Sequence, residues 1–171
     1  LMNDYWRRFG FFMEIPGEYH QNQLLPDGYT GLELMRKAPS RGLTIAWQAT
    51  DAPTSRLSDR EALVRMRREM GHRMHGEEIH PETFVWSTAE IAGHEAVKLE
   101  GAWSSTRFDG GGAFWCYFVP DPASKRLFCI DMLAYAPGMD KMDLFRRLDA
   151  IARTFSRSEE RRVGKECIVK C

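Results

Sequence analysis

Residues 113–135, AFWCYFVPDPASKRLFCIDMLAY, decide the fold of this chain. Residues 113–119 and 126–135 are apolar at both alternating positions, which is typical of strands that are covered on both faces. Between them, residues 120–125 carry the prolines, aspartate and serine of a turn. We therefore predict a hairpin of two central strands, with the rest of a sheet built around it.

Further strand patterns lie on both sides of this hairpin. In residues 43–49, the apolar side chains of Leu43, Ile45 and Trp47 alternate with polar ones, the period of a half-buried strand. Turn residues such as Pro39, Gly42 and Gly93 separate the patterns from one another. We predict five more strands, at residues 11–15, 32–37, 43–49, 84–91 and 95–103.

Two segments have helical periodicity. The first begins at Ser58, which with Glu61 forms a capping-box pattern, and fades at Gly76. Its apolar stripe is Leu63, Met66, Met70 and Met74, and we place Arg60, Arg65, Arg67 and Arg68 on the opposite, solvated face. The second begins after Asp140, a candidate cap, and its stripe is Leu144, Leu148, Ile151 and Phe155.

The order of elements is therefore βββαββββα. Strands joined by short loops favour antiparallel pairing, so we predict an α+β fold: a mainly antiparallel sheet of about seven strands carrying two helices. Residues 11–156 should form this single domain, since a chain of 171 residues with 43% hydrophobic content can bury one sizeable core.

Charge excludes one broad class of function. The chain has 24 basic and 24 acidic residues, so no overall field attracts nucleic acid or another polyanion. No stretch reaches the roughly 20 apolar residues that a membrane-spanning helix needs. Residues 1–10 have mixed polarity, and we expect them to be the end of a preceding helix whose beginning is truncated.

The C-terminal segment has a different origin in our interpretation. Residues 157–167, RSEERRVGKEC, have no apolar period and match the translation of a common sequencing-library adapter. We therefore predict that residues 157–171 are a non-native tail, although a natural charged tail is the alternative. On this view Cys167 and Cys171 belong to no zinc site, and the remaining domain is slightly acidic.

Three histidines and two glutamates form the only cluster of candidate metal ligands in the sequence. His72, His75 and His80 lie close together in sequence, beside Glu77 and Glu78. Their spacing does not match a helical zinc motif, and the segment straddles a helix end. A solvated helix end, with His75 favoured by the helix dipole, is the preferred interpretation, and a metal site is the weaker alternative. We expect no cofactor.

A glycine-rich loop is the candidate ligand site. Gly110, Gly111 and Gly112 follow Arg107 and Asp109, and such a loop can present backbone N–H groups to an anion. It lacks the Lys-Ser/Thr of a phosphate-binding loop and precedes a strand, so a plain turn or bulge is the alternative.

Cys116 and Cys129 lie in the two strands of the central hairpin. A hairpin centred on its turn would place them opposite each other, so that a cross-strand disulfide is possible in an oxidising compartment. The favoured alternative is a pair of buried thiols. Asp131 interrupts the same apolar strand and needs a hydrogen-bond donor, for which we expect a loop. Ser104 and Ser105 match no nucleophile-elbow pattern.

Several short motifs together resemble one family. In order they are GHEA at residues 93–96, GAW at 101–103, GGAF at 111–114, YAPG at 135–138 and RLDAI at 147–151. Their order and spacing resemble the C-terminal half of the bacterial lipoproteins known as domain of unknown function 4837. The likeness covers most of residues 5–156, and the order of elements is also similar to PsbP/Mog1-like binding and assembly domains.

The resemblance implies a protein of the bacterial cell envelope, held at the membrane only by a lipid anchor outside this fragment. It implies no catalytic residue, and its partner would be an unidentified envelope protein or a small ligand. Our leading hypothesis is therefore a non-enzymatic envelope binding or assembly domain. The alternatives are a metal-dependent hydrolase built on the three histidines and a domain that binds an anion or sugar at residues 107–112.

Overall fold

The computed structural model describes residues 9–24, 30–37 and 39–157. They form an α+β domain with two α-helices, α1 (Arg60–His75) and α2 (Met142–Ala152), and a 3-10 turn at Ser55–Ser58. The strands are β1 (Phe11–Phe12), β2 (His20–Leu24), β3 (Thr30–Arg36), β4 (Ser40–Ala49), β5 (Glu77–Ile91), β6 (His94–Ser105), β7 (Gly111–Asp121), β8 (Arg126–Tyr135) and β9 (Ser156–Arg157).

The main sheet has seven strands in the order β2-β3-β4-β8-β7-β6-β5, with every neighbouring pair antiparallel. Two meanders, β2 to β4 and β5 to β8, join where β4 pairs with β8. The predicted class and the two helices are confirmed. The prediction that residues 113–119 and 126–135 are central strands is also confirmed, because β7 and β8 lie inside the sheet.

The two helices cover opposite faces of this sheet. On the α2 face, Phe145 and Leu148 pack with strand residues such as Leu43 and Ile45. On the α1 face, the predicted stripe Leu63, Met66, Met70 and Met74 packs with Leu99, Cys116 and Phe118. Alternate residues of each central strand therefore enter two separate cores, which is why β7 and β8 are apolar at both alternating positions.

The first strands of the chain differ from the predicted order. The segment predicted as the first strand, residues 11–15, contributes only β1, which pairs with β9 in a separate two-stranded sheet. Its place in the main sheet is taken by β2, whose sequence HQNQL has no apolar alternation. The sequence pattern could not reveal β2, because a polar edge strand carries no period-2 signal.

The start of α1 is one residue later than predicted. The 3-10 turn includes Ser58, whose hydroxyl donates to the carbonyl of Ser55. The cap is instead Asp59, whose carboxylate accepts from the backbone N–H of Ala62 at 3.0 Å. The helix ends as predicted at Gly76, which has a left-handed conformation with φ of 66°.

The predicted terminal segments lie mostly outside the described residues. Of the expected helix end at residues 1–10, only Phe9 and Gly10 are described, and of the expected tail at 157–171 only Arg157 is. Arg157 pairs with Phe11, and its guanidinium lies 3.1 Å from the Asp121 carboxylate. The tail boundary stays a prediction. Among the described residues, neither helix is long and apolar enough to cross a membrane.

Candidate functional site

A cleft opens on the α1 face of the sheet, beyond the C-terminal end of α1. Its volume is about 180 Å³, the size of one or two large side chains. Strand residues of β3, β4 and β8, including Met35, Gly42 and Leu133, line one side. His75 and Glu77 line it where the helix ends. Because α1 stops at His75, no helix of the described residues covers this end of the sheet.

An aromatic wall, made of Trp103, Phe108 and Tyr135, also lines the cleft. The rings meet edge to face, with centroids 6.4 Å apart for Trp103 and Phe108 and 5.6 Å apart for Phe108 and Tyr135. The Trp103 indole donates to the carbonyl of Ala113 at 3.2 Å, which fixes its ring. Phe108 is 47% exposed and Tyr135 37%, so these two rings form an accessible apolar surface, while the Trp103 ring is buried.

A buried charge cluster, consisting of Glu33, Arg67, His75, Glu77 and Asp131, lies beside the cleft. Its centre is Arg67, whose side chain is fully buried between α1 and the sheet. The Arg67 guanidinium donates through Nε to Oδ1 of Asp131 at 3.1 Å, and its Nη2 lies 3.0 Å from Oδ2 of the same carboxylate. Its Nη1 lies 2.6 Å from Oε2 of Glu77, and its plane stacks 4.3 Å from the ring of Phe114.

The second pair in the cluster is Glu33 and His75. Nε2 of His75 lies 2.6 Å from Oε1 of Glu33, which is buried on the same sheet face as Asp131, two strands away. The hydrogen bond to Glu33 raises the pKa of His75 above its usual value of 6.5, against the opposing effect of burial. A protonated His75 at the last turn of α1 also suits the negative end of the helix dipole.

Burial changes the proton affinity of Asp131. Loss of water raises the pKa of its carboxyl to about 6, although the positive charge of Arg67 opposes that change. The nearby charge of Glu77 acts in the same direction as burial. Arg67 lies between these two carboxylates, so its own pKa is raised and its guanidinium stays charged.

A helix glycine makes room for this cluster. A Cβ atom at Gly71 would lie 2.3 Å from Nη1 of Arg67 and 2.5 Å from Oε2 of Glu77. Both atoms belong to the buried ion pair, which is not free to move away. Glycine in a helix interior costs about 1 kcal/mol relative to alanine, so its presence here is explained by close approach of the ion pair to the backbone.

The predicted ligand loop has structural roles in the described residues. Arg107 donates through Nη1 to the carbonyl of Met74 at 3.0 Å and through Nη2 to that of Arg73 at 3.2 Å, so it caps the end of α1. Gly111 begins β7, where a Cβ would lie 2.4 Å from the carbonyl oxygen of Trp103. None of Gly110, Gly111 and Gly112 has a positive φ, so the loop does not form an anion nest.

Anion or sugar binding at residues 107–112 stays a prediction without geometric support. Asp109 lies in the same loop and is exposed. The neighbouring Phe108 does reach the cleft, so the loop contributes to the candidate site through its apolar residue.

The three predicted metal-ligand histidines do not converge. His72 is exposed, His75 binds Glu33, and Nε2 of His80 lies 3.0 Å from the Ser104 hydroxyl. Within the part of the chain that the structure describes, no three His, Cys, Asp or Glu side chains are placed to hold a metal ion. His75 nevertheless belongs to the candidate site, as a partner of a carboxylate.

Ser104, His80 and Glu82 form a chain of polar groups that the sequence did not reveal. Nδ1 of His80 lies 3.7 Å from the Glu82 carboxylate, while its Nε2 faces the Ser104 hydroxyl. The order resembles a nucleophile, base and orienting acid. However, Glu82 is exposed and beyond hydrogen-bond distance, and none of the three lines the cleft. We regard it as a surface hydrogen-bonded pair.

The two central cysteines are buried free thiols with their Sγ atoms 3.1 Å apart. The register of the hairpin differs from the predicted one: Cys116 lies opposite Asp131, and Cys129 lies opposite Phe118. They are therefore diagonal neighbours rather than a directly opposed pair. Burial raises the pKa of Cys116 well above its usual value, so its thiol is unreactive as it stands. A disulfide stays a prediction.

The residues at the centre of the site were missed or misplaced by the sequence patterns. Arg67 was assigned to the solvated face of the helix, and this was wrong because it is fully buried. The donor for Asp131 was expected from a loop, and it comes from α1 instead. One signal was present: Arg67 is four residues from both Leu63 and Gly71, on the buried side of the helix.

Comparison with solved structures shows a shared fold. The solution structure of cyanobacterial PsbP (CyanoP) from Synechocystis sp. PCC 6803 aligns with a TM-score of 0.56 and 12% identity, over 86% of each chain. This confirms the PsbP-like fold. The crystal structure of LpqN from Mycobacterium tuberculosis, described as involved in cell envelope biogenesis, aligns with a TM-score of 0.46 and 14% identity, over 91% of this chain and 95% of that one.

Comparison with sequence families gives a direct assignment. No curated protein matches the chain significantly. The model of the family described as Domain of unknown function (DUF4837) matches residues 2–154, which is most of the chain. The protein with this cleft and charge cluster therefore belongs to the DUF4837 family.

Proposed function

We propose that this domain is a non-catalytic binding module of the cell envelope and that the cleft is its binding site. The observation that carries this proposal is the aromatic wall, since Phe108 and Tyr135 present accessible rings beside a concave surface that the buried Trp103 also lines. Apolar concave surfaces with a few polar groups at one end are the usual form of a ligand site. The small volume suits one side-chain-sized group of a ligand or partner.

The polar groups in and beside the cleft support binding rather than catalysis. Arg67 and Asp131 engage each other, and His75 is hydrogen-bonded to Glu33. Nε2 of His75 is occupied by the Glu33 carboxylate, so this nitrogen is not the one that could take a proton from a nucleophile. In the described residues these charges act as a rigid support for the cleft.

The envelope location is the second part of the proposal. It is supported by the short sequence motifs of this chain, which resemble those of bacterial lipoproteins. Fractionation of cells that express the complete gene product with an epitope tag tests it. We expect the protein in the membrane fraction and released by detergent. Recovery in the cytoplasmic fraction would contradict an envelope role and would leave binding at the cleft to be judged separately.

Binding at the cleft can be tested by nuclear magnetic resonance. We would titrate neutral aromatic and aliphatic fragments into ¹⁵N-labelled protein and follow the indole N–H signal of Trp103. The proposal predicts that perturbed signals cluster at the cleft. Phe108→Ala should weaken binding by about 10-fold, since an aromatic contact and its buried area contribute about 1–2 kcal/mol. Perturbations confined to other surfaces would contradict the proposal.

A matched control and a catalytic assay complete the test. Val85 is 60% exposed and lies outside the cleft, so Val85→Ala removes an exposed apolar side chain without changing the site. Fragment affinity should then be unchanged. Hydrolysis of activated esters by the wild-type protein that is abolished in Ser104→Ala would show that the domain is an enzyme and would overturn a non-catalytic role.

A further inference from the structure

A second pocket opens on the α1 face of the sheet, beside the N-terminal half of the helix. It lies between the 3-10 turn, α1 and the end of β4, and its volume is about 130 Å³. It shares no lining residue with the cleft, which lies beyond the opposite end of α1. We call it the arginine pocket, and its polar side chains are Gln48, Thr50, Arg56, Arg65 and Glu69.

Arg65 brings an uncommitted cation to this pocket. It is exposed and lines the pocket from α1. Among the residues that the structure describes, its guanidinium makes no hydrogen bond, ion pair or ring contact. Two other arginines of the same helix are engaged, since Arg67 binds Asp131 and Arg60 lies 5.2 Å from the ring of Trp86. A guanidinium with open N–H donors can bind both oxygens of a carboxylate or phosphate.

Arg56 adds a second guanidinium, from the 3-10 turn. Its Nη1 lies 3.7 Å from Oδ2 of Asp59, which is beyond hydrogen-bond distance. Both side chains are about half exposed, and such a surface ion pair contributes little to stability. Arg56 can therefore turn to an anion in the pocket at small cost. Two guanidinium groups from different elements thus line one small concave surface.

The acidic groups nearby do not cancel these two cations. Among the described lining residues Glu69 carries the one carboxylate, so the lining has two positive charges and one negative charge. Asp51 follows Thr50 in the chain but lies outside the lining, and its carboxylate is 3.1 Å from the ammonium of Lys125. The net charge of the lining suits an anion with a single negative charge. A dianion would meet the repulsion of Glu69 without enough cations to offset it.

Neutral donors and an apolar base complete the pocket. The side-chain amide of Gln48 has no hydrogen bond among the described residues. The Thr50 hydroxyl accepts from the backbone N–H of Ala52 at 3.4 Å and keeps its own O–H to donate. Met66 and Leu127, both buried, line the pocket with apolar surface. A ligand with a charged head and a short apolar body matches both parts.

From these contacts we propose that the arginine pocket binds a small organic monocarboxylate: one ionised carboxyl group on a short apolar body. The carboxylate accepts from Arg65 and Arg56, whose planar donors match its two oxygens. The Gln48 amide is a third donor, and the apolar body contacts Met66 and Leu127. This proposal goes beyond the proposed function, because it concerns a different pocket and does not require binding at the cleft.

The test begins with butanoate, its neutral analogue butanamide, and sulfate as a dianion. We would titrate each into ¹⁵N-labelled wild-type protein at pH 7 and constant ionic strength, and follow the side-chain amide of Gln48 and the backbone amide of Thr50. Butanoate should bind about 5 to 10 times more tightly than butanamide, since two guanidinium groups act on its charge. Sulfate should bind more weakly than butanoate.

Two results of this series contradict the proposal. Equal affinities of butanoate and butanamide, or shifts confined to other surfaces, would overturn it. Tighter binding of sulfate than of butanoate would overturn the assignment of a monocarboxylate as the ligand.

Arg65→Gln provides the first variant. It removes the uncommitted guanidinium at an exposed position, so butanoate should bind about 5 times more weakly while butanamide binds as before. Arg68→Gln is the matched control, because Arg68 is an exposed arginine of the same helix outside the pocket. Its butanoate affinity should be unchanged. An equal loss in the two variants would mean that only the general field of the helix attracts butanoate, and would overturn the site.

Glu69→Gln should have the opposite effect. It removes the carboxylate of the lining, so butanoate should bind about 2 to 5 times more tightly. Glu61→Gln is its control, since Glu61 is an exposed glutamate of the same helix outside the pocket. If Glu69→Gln binds butanoate no more tightly than Glu61→Gln, the charge balance is wrong and the proposal fails with it. Weaker binding in Arg65→Gln and tighter binding in Glu69→Gln, with both controls unchanged, would support it.

Discussion

Replacing Arg67 by methionine tests the buried charge cluster on which the shape of the cleft depends. Methionine retains an unbranched stem of similar path and can still contact the Phe114 ring, but it removes the guanidinium. Two buried carboxylates, Glu77 and Asp131, then lose the cation that lies 2.6 and 3.0 Å from them. Breaking a buried ion pair by removing one partner costs about 3–5 kcal/mol.

We therefore expect Arg67→Met to lower the free energy of unfolding by about 3–5 kcal/mol at pH 7. Such a loss is a large share of the roughly 5–15 kcal/mol that stabilises a typical domain. Urea titration followed by tryptophan fluorescence measures it, with the wild-type protein at the same pH as reference. The loss should shrink at pH 5, where protonation of Asp131 removes one of the two unpaired charges.

Two companion variants make the result specific. Arg68→Met changes an exposed arginine on the same helix and should alter stability by less than about 0.5 kcal/mol. A triple variant that adds Glu77→Gln and Asp131→Asn to Arg67→Met should recover most of the loss, because neutral amides replace the stranded charges. A loss below about 1 kcal/mol in Arg67→Met would refute the argument from burial.

Three other predictions concern stability. The raised pKa values of Asp131 and His75 mean that the folded state holds these protons more tightly than the unfolded state. Unfolding followed from pH 5 to pH 8 should therefore show stability falling as pH rises, by about 1 kcal/mol for Asp131. Gly71→Ala should lose about 1–3 kcal/mol in urea titration despite the higher helix propensity of alanine, since its Cβ meets the ion pair. Asp59→Ala should lower the melting temperature, consistent with a loss of about 1 kcal/mol for a helix cap.

Each of these predictions has a result that contradicts it. Stability that rises from pH 5 to pH 8 would show that other groups dominate the titration, and a slope unchanged in Asp131→Asn would remove Asp131 as its source. A more stable Gly71→Ala would mean that the ion pair can shift without cost. An unchanged melting temperature in Asp59→Ala would mean that water replaces the cap.

Much of the fold was predictable because its signals are local. Apolar residues at both alternating positions identified β7 and β8 as central strands, and stripes at helical spacing identified both helices. The strand β2 was not predictable from HQNQL, because an edge strand is held by pairing with β3 rather than by its own burial. The cap of α1 was placed at Ser58 because the 3-10 turn before Asp59 has no distinct sequence pattern.

The candidate site was much less predictable than the fold. Asp131 was recognised as a buried carboxylate that needs a donor, since it interrupts an apolar strand. Its donor is 64 positions away in sequence, and such a long-range pair leaves no periodic signal. The spacing of Arg67 from Leu63 and Gly71 places it on the buried side of the helix, but arginine is a residue type expected on the solvated face. The aromatic wall has no sequence signal either, because Trp103, Phe108 and Tyr135 meet only through the pairing of distant strands.

The central claim is that the cleft is a binding site, and its most direct test is the position of a bound ligand relative to the aromatic side chains that line the cleft. Intermolecular nuclear Overhauser effects between a bound neutral aromatic fragment and the protein would supply it. If the ligand binds in the cleft, we expect cross-peaks from the ligand ring to the ring protons of Trp103 and Tyr135. Cross-peaks only to residues of other surfaces would contradict the assignment of this cleft as the functional site.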